Sequence, residues 1–376
     1  MAKLVIILNL DTLKEKNKYQ FSVFKKKYIF IAFAYFKNTK FKHPSNCLVK
    51  NYRKNFFARL IQILKIILFL KNKIHHVEIY TGGGTFFVLE NLVCRIARIP
   101  VLIVERGSPL RDLDKKYNLL AKNLRKQVYK CAEYIWIREL WMVKALSELH
   151  IRDYFFLSNA VKVPKQFNFN PCKKIKFIWC NSLKIWRNPE WFVSACTNPE
   201  LLNQKAVMLG LLDKNPTLHN IQERIFKIKS QNLDILPFQD PSLFYLDAMF
   251  FVLPADIVYL NFSLLEAMSY GVVPIISDVE GAREIVDNGV DGFVIPHSQD
   301  ALLYAMIKAA TMDSETYMRL SKNARQKIIN KFSIEKTWFN SMDCFYANIS
   351  TDSQGSTLNC TKNVRKQVNN LSKSFL

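Results

Sequence analysis

The sequence predicts an α/β protein made of two doubly wound, Rossmann-like domains. Three observations point there. Short apolar runs alternate with longer stretches of helical periodicity along most of the chain. The alternation breaks at LSNAVKVPKQFNFNPCKK (157–174), rich in Asn, Pro and Lys, and then restarts. The chain has only 10 Gly, and four of them fall at 271, 281, 289 and 292, where tight turns are needed.

The first domain is expected over 1–168. LVIILN (4–9) and YIFIAFAYF (28–36) read as strands. NYRKNFFARLIQILKIILFLKNKIHH (51–76) holds a helix over 51–72, with Phe56, Leu60, Ile63, Leu64, Ile67 and Leu70 at helical spacing. A strand with a Gly-rich loop follows at VEIYTGGGTFF (77–87), then a helix near 88–98 and the strand VLIVERG (101–107). A basic helix at 115–132, the strand YIWIRE (134–139) and the helix LWMVKALSEL (140–149) complete the unit.

The second domain is expected over 169–332. Its strands are KIKFIWCNSL (174–183), AVMLG (206–210), LDILPF (233–238) and AMFFVLP (248–254). VLPADIVYLNFSLLEAMSYGVVPIISDVEGAREIVDNGVDGFVIP (252–296) reads as strand, loop, short helix, strand, loop, helix, strand. Asn261 or Ser263 can cap the short helix, which places Glu266 on its first turn, and Gly271 can close it. Pro274 inside the strand 272–276 suggests an edge or an irregular pairing. A last helix is expected at 333–349, and the polar residues 350–376 read as a disordered tail. No internal repeat is evident.

The start of the short helix is the first candidate site. The N–H groups of Phe262, Ser263, Leu264 and Leu265 lack partners inside the helix and suit a phosphate or diphosphate. Glu266 can support the helix or accept hydrogen bonds from ligand hydroxyls. A carboxylate repels phosphate, so a sugar or ribose hydroxyl is its better partner.

Composition excludes several classes. Hydrophobic residues make up 49% and aromatics 13%, enough for two cores. The eight Cys are scattered without a C-x-x-C pair, which argues against zinc and disulfides and favours a reducing cytosol. MAKLVIILNLD reads as a first strand rather than a leader, and no run is long enough to span a bilayer. The net charge of +23 fits nucleic acid, an anionic membrane face or anionic substrates. No nucleic-acid-reading motif appears, so no specific nucleic acid is expected. The basic helix at 51–72 either packs as an ordinary core helix or lies against anionic headgroups. Asp112 and Asp114 in DLD sit between Arg111 and Lys115 and read as charged surface. His75 and His76 are adjacent and should diverge on a strand. No metal site is expected.

LLEAMSYGVVPII (264–276) and GAREIVDNGVDGFVI (281–295) resemble the C-terminal half of retaining GT-B glycosyltransferases, the glycosyl transferases group 1 set of glycosyltransferase family 4. The resemblance implies a GT-B fold with a cleft between the domains, an acceptor-side first domain and a nucleotide-sugar-binding second domain. It also implies that the closing helix crosses back onto the first domain. Arg187 in SLKIWR (182–187) stands where the family has a Lys facing the donor diphosphate, and Ser182 stands where it has Arg. Phe238, at the end of its strand, is a further candidate donor contact. Gly83 and Gly84 in TGGGTF (81–86) permit close backbone approach to a ligand. In ERGSP (105–109), Glu105 could act as a base or hold an acceptor hydroxyl, and Arg106 could hold an anionic acceptor group. The family's first catalytic-loop Glu falls here on Val258, with Asp256 nearby and Asn261 able to bind a sugar hydroxyl instead.

The function implied is a cytoplasmic, metal-independent, retaining transferase without a cofactor. It would move a sugar from a nucleotide diphosphate sugar to a glycan or lipid-linked glycan, at the inner face of the plasma membrane, in bacterial surface polysaccharide synthesis. The alternatives are a non-catalytic GT-B nucleotide-sugar binder or partner subunit, motivated by Val258 and Ser182, and a GT-B-shaped sugar epimerase.

Overall fold

The computed structural model describes residues 3–10, 21, 24, 27–35, 45–53, 55–81, 86–105, 119–151, 154–211, 219–228, 230–237 and 239–349. The chain divides into two compact units, 1–158 with 339–376 and 159–338. Each holds one all-parallel sheet, as the alternation predicts.

The first unit's sheet has the order β3-β2-β1-β4-β5-β6-β7. Its strands are β1 (Lys3–Leu10), β2 (Tyr28–Ala34), β3 (Cys47–Asn51), β4 (Ile74–Tyr80), β5 (Val101–Val104), β6 (Tyr134–Ile137) and β7 (Phe155–Phe156). Helices α1 (Phe56–Leu70), α2 (Phe86–Ile96), α3 (Leu119–Lys130) and α4 (Leu140–Glu148) connect them. The steps from β3 to β4, β5 and β6 all run one way across the sheet. Right-handed crossovers therefore place α1, α2 and α3 side by side on one face.

Strand β4 shows the two faces. Val77 and Ile79 join the core under those helices, while His76 and Glu78 point the other way, as alternation requires. On that second face lies α12 (Phe339–Ile349). Tyr346 donates its hydroxyl hydrogen bond to Glu78. Phe345 stacks on Phe155 at 4.0 Å, and Lys27 pairs with Asp343 at 2.5 Å.

The second unit's sheet has the order β10-β9-β8-β11-β12-β13. Its strands are β8 (Ile175–Cys180), β9 (Ala206–Leu211), β10 (Leu233–Pro237), β11 (Ala248–Leu253), β12 (Val273–Ser277) and β13 (Phe293–Ile295). Around them are α5 (Pro189–Cys196), α6 (His219–Lys227), α7 (Ser242–Asp247), α8 (Phe262–Ser269), α9 (Ala282–Ile285), α10 (Gln299–Ala310) and α11 (Ser314–Lys331). β11 and β12 are buried at every residue, the mark of a central parallel strand covered on both sides.

Several expectations are corrected. The helix expected over 51–72 starts only at Phe56, because Asn51 still pairs with Ala34 in the edge strand β3. Pro274 does not sit on an edge strand: β12 lies between β11 and β13. Pairing to β13 begins one residue later, at Ile275 and Phe293. At Pro274 the neighbouring chain is Gly292, where a Cβ would meet the proline ring at 2.4 Å. His75 and His76 do not diverge. A register shift in the β1–β4 pairing brings their Nδ1 atoms to 2.8 Å.

The division at 168 also moves. Residues from Asn159 onward already pack on the second unit. Asn159 Nδ2 donates to Leu260 O at 2.8 Å, and Arg325 donates to Pro164 O at 2.9 Å. Residues 333–338 stay with the same unit through the Val161–Ser333 bridge, so only Phe339 onward belongs with the first. Residues 350–376 lie outside the described residues.

Candidate functional site

The strand order of the second unit reverses between β8 and β11. The chain steps outward from β8 to β9 and β10, then returns to β11 on the other side of β8. Open α/β sheets bind ligands at the carboxyl ends of the strands flanking such a switch. Asn181 follows β8 and Asn261 follows β11. Their side chains meet across the switch, Asn261 Nδ2 donating to Asn181 Oδ1 at 2.8 Å. The Asn181 side-chain Nδ2 is buried with no hydrogen-bond partner among the described residues.

Asn261 caps α8. Its Oδ1 accepts from Leu264 N at 3.1 Å, and its carbonyl accepts from Leu265 N at 3.0 Å. The cap therefore engages two of the four N–H groups that the sequence assigned to a ligand. The N–H groups of Leu264 and Leu265 are corrected to cap partners, and that of Ser263 is left by the cap. Behind it, the Ser263 carbonyl accepts from the buried Tyr245 hydroxyl at 3.2 Å.

With Asn261 as the cap, Glu266 is not a first-turn acid; the first turn of α8 holds none. It sits on the second turn. Among the described residues no hydrogen bond reaches its carboxylate. Burial, and secondarily the charge of Asp240, push its pKa up to about 7. Asp240 belongs to the loop after β10, so the strand ends of β8, β10 and β11 all contribute here.

Arg187 ends a single 3₁₀ turn, Ile185–Arg187. Its Nη1 donates to Ser182 Oγ at 2.6 Å and to Ser182 O at 2.9 Å. Its guanidinium lies over the Trp186 ring at 4.7 Å, and its Nε is buried without a partner among the described residues. Burial lowers its pKa to about 10, so it remains a cation at neutral pH. The Ser182 hydroxyl thus holds Arg187, while Lys184 of the same loop is exposed. Cys180, at the end of β8, feels the charges of both Glu266 and Arg187.

Val258 is buried in the core of the unit. Gly281 adopts φ +87° against it, and a Cβ there would meet the Val258 carbonyl at 1.8 Å. The loop is fixed in that register. Asp256 is exposed, and its Oδ1 accepts from Asn188 Nδ2 at 2.7 Å and lies 3.2 Å from His297 Nε2. Neither Asn188, at φ +45°, nor His297 is marked by any sequence motif. Their link to Asp256 joins the loops after β8, β11 and β13.

In the first unit, Glu105 lies at the end of β5, fully buried, and accepts a hydrogen bond from the Tyr129 hydroxyl on α3. That is the environment of a structural acid. Arg106, Gly83, Gly84 and Phe238 lie outside the described residues, as do Asp112 and Asp114. Among the described residues there is no cluster of three or more His, Cys, Asp or Glu able to hold a metal ion.

Residues 163–327, almost all of the second unit, match the sequence model of the glycosyl transferases group 1. The second unit is a glycosyl transferases group 1 domain. Two curated relatives agree. Over 87 residues the chain is 36% identical to the UDP-Gal:alpha-D-GlcNAc-diphosphoundecaprenol alpha-1,3-galactosyltransferase of Escherichia coli, a match spanning 23% of this chain and 22% of that protein. Over 156 residues it is 26% identical to the capsular polysaccharide biosynthesis glycosyltransferase CapM of Staphylococcus aureus, spanning 41% of this chain and 40% of that one. The chain thus matches less than half the length of either relative.

The fold match extends further. Sucrose-phosphate synthase from Thermosynechococcus elongatus superposes with a TM-score of 0.74 at 13% identity, over 93% of this chain and 99% of the other. Anabaena Alr3699/HepE in complex with UDP and glucose gives 0.71 at 11% identity, over 93% and 100%. Beyond the group 1 domain, the chain as a whole has the GT-B fold, with two Rossmann-like units.

Proposed function

We propose that this protein transfers a sugar from a nucleotide diphosphate sugar to the hydroxyl of a glycan or lipid-linked glycan, in the synthesis of a bacterial surface polysaccharide. The observation that carries the reading is the constellation at the β8–β11 switch. A capped helix start, an unpartnered acid and a held guanidinium lie together there, within a glycosyl transferases group 1 domain.

Arg187 and the Ser263 N–H would stabilise the leaving diphosphate as its charge develops. Glu266 would hold the ribose hydroxyls. The bond between the anomeric carbon and the diphosphate oxygen breaks, and the bond to the acceptor oxygen forms. The diphosphate leaves with the electron pair, and the acceptor proton passes to a phosphate oxygen. Retention of configuration is the stereochemical outcome proposed, with Arg187 serving as the charge neutraliser in place of a metal ion.

The relatives support the donor and pathway classes. One carries UDP-Gal and a diphosphoundecaprenol acceptor in its name, the other acts in capsule synthesis, and a structural neighbour was solved with UDP. An acceptor of that chemistry sits in a membrane, so the site of action proposed is the inner face of the plasma membrane.

The test is calorimetric titration with UDP-, GDP- and ADP-sugars. Selective binding to one nucleotide, weakened in Glu266→Ala and Arg187→Ala, is expected. No binding to any of them sinks the donor site. Binding without turnover on any lipid-linked acceptor favours the second reading, a non-catalytic nucleotide-sugar binder, for which the buried Val258 is the motivating observation.

A further inference from the structure

Helix α1 is apolar on two sides. Ile63 and Ile67 face inward and are buried in the first unit's core. Phe57 (69% exposed), Ile61, Leu68 (63%) and Phe69 (88%) face outward, with the exposed Lys65 among them. Positions 57, 61, 65, 68 and 69 recur at three- and four-residue steps and share a face. The neighbouring helices repeat the pattern. Leu92 and Ile96 (75%) are exposed on α2, and Leu120 (70%) and Leu124 on α3, each pair four residues apart. The three helices are adjacent on one face of the sheet, so the stripes lie side by side.

A water-facing helix stripe is ordinarily polar, and a helix apolar all round covers something. Contiguous exposed apolar surface marks an interaction site. The charges say with what. Lys65, Lys71, Lys73, Arg95, Arg98, Lys122, Lys126 and Lys130 surround the stripes. Across Phe56–Lys73, Phe86–Ile96 and Leu119–Lys130 there is one acid, Glu90, and it is buried with the Tyr52 hydroxyl donating to it at 2.6 Å. No carboxylate on these three helices faces water. A second copy of the chain would set cations against cations. An anionic phospholipid surface offers what the face lacks, with headgroups for the Lys and Arg and an acyl boundary for the Phe, Leu and Ile side chains.

We propose that the outer faces of α1, α2 and α3 form a docking surface for an anionic phospholipid bilayer. Phe57, Phe69, Ile96 and Leu120 enter the boundary between headgroups and acyl chains. The role of this surface rests on the reading that the acceptor is lipid-linked, because docking holds the first unit at the leaflet where such an acceptor lies. No helix among the described residues is long and apolar enough to cross a membrane.

The experiment is cosedimentation of the full chain with phosphatidylcholine vesicles, with and without phosphatidylglycerol. Wild type should bind the anionic vesicles at least about tenfold more tightly than the neutral ones, since each Lys or Arg near an anionic leaflet contributes roughly a fivefold gain. Phe69→Ser with Ile96→Ser, and separately Lys65→Glu with Lys71→Glu, should each weaken vesicle binding by about tenfold or more. All these positions are exposed, and the variants should melt as wild type does. Equal affinity for neutral and anionic vesicles overturns the proposal, as does no vesicle binding. A dimer in sedimentation that the apolar variant splits, without vesicle binding, overturns it in favour of a second copy. Titration of the same proteins with nucleotide sugar separates the two readings. A chain that binds anionic vesicles but no nucleotide sugar keeps the docking surface and loses the transferase.

Discussion

The core acids of the first unit and the acid at the second unit's switch are held differently. In the first unit Glu78, Glu90 and Glu105 are each buried and each accept a hydrogen bond from a tyrosine hydroxyl, those of Tyr346, Tyr52 and Tyr129. These pairs tie α12 to β4, the residue after β3 to α2, and α3 to the end of β5. In the second unit the buried Asp291 is likewise paired, with Lys327 at 2.9 Å and with the Asp287 N–H, whereas Glu266 is half-buried and no protein group donates to its carboxylate among the described residues. An acid that its own fold has paired serves the fold. An acid that is desolvated and left unpaired is held ready for a ligand's donors, and its stabilisation arrives with the ligand. The difference ranks the two candidates. Glu105, read from the sequence as a base or acceptor contact, falls in the first group and Glu266 in the second.

The largest expected effect follows from that ranking. Glu266→Ala should weaken nucleotide-sugar binding by about 10²-fold, near 3 kcal/mol, the scale of a lost charged hydrogen-bond acceptor. Calorimetry reads it directly, and unchanged affinity would break the comparison. Next comes Arg187→Ala, expected to cost about tenfold in affinity, less than Glu266→Ala because Ser182 already shares the guanidinium. Tyr129→Phe should cost stability instead, by about 1–3 kcal/mol, because it removes the tyrosine donor from the buried Glu105. Its donor affinity should match wild type. If Tyr129→Phe spares the melting temperature and removes turnover, Glu105 belongs with Glu266 after all.

Local pattern made the second unit readable. LLEAM and the Gly cluster at 271–292 specify a helix start, its closure and two tight turns within a short span, and the fold contains each of them. The features that escaped reading depend on contacts far apart in sequence. Asp256 meets Asn188 and His297 only because three strand ends converge. The Tyr–Glu pairs of the first unit join residues separated by as few as 24 and as many as 268 positions, which no motif spacing records. The edge strand CLVKN was missed because Lys50 and Asn51 dilute a five-residue run. The turn on which Glu266 sits depended on whether Asn261 or Ser263 caps α8. Only the Asn261–Leu264 bond decides that, and it moves the acid away from the helix dipole's end.

The smallest expected effect probes the cost of leaving Glu266 unpaired. Its folded pKa is raised to about 7 from 4.5. A group raised in the folded state contributes stability that is complete below the unfolded value and is lost as pH rises through the folded one. The window therefore runs from pH 4.5 to 7, and above it the free protein carries a desolvated charge. Glu266→Gln removes that charge and keeps the shape. The variant should be more stable than wild type by about 1–2 kcal/mol at pH 8 and nearly equal to it at pH 4.5. Taking the difference between the two proteins at each pH removes the other titrating groups, among them Glu90, whose pKa is also about 7, and His75, lowered to about 3. Thermal melts across this range measure it. A gain at pH 8 together with lost donor binding would mean that the second unit gives up stability when empty to keep an acceptor for the donor's hydroxyls. Equal stability at both pH values would mean that Glu266 is as well satisfied as the acids of the first unit.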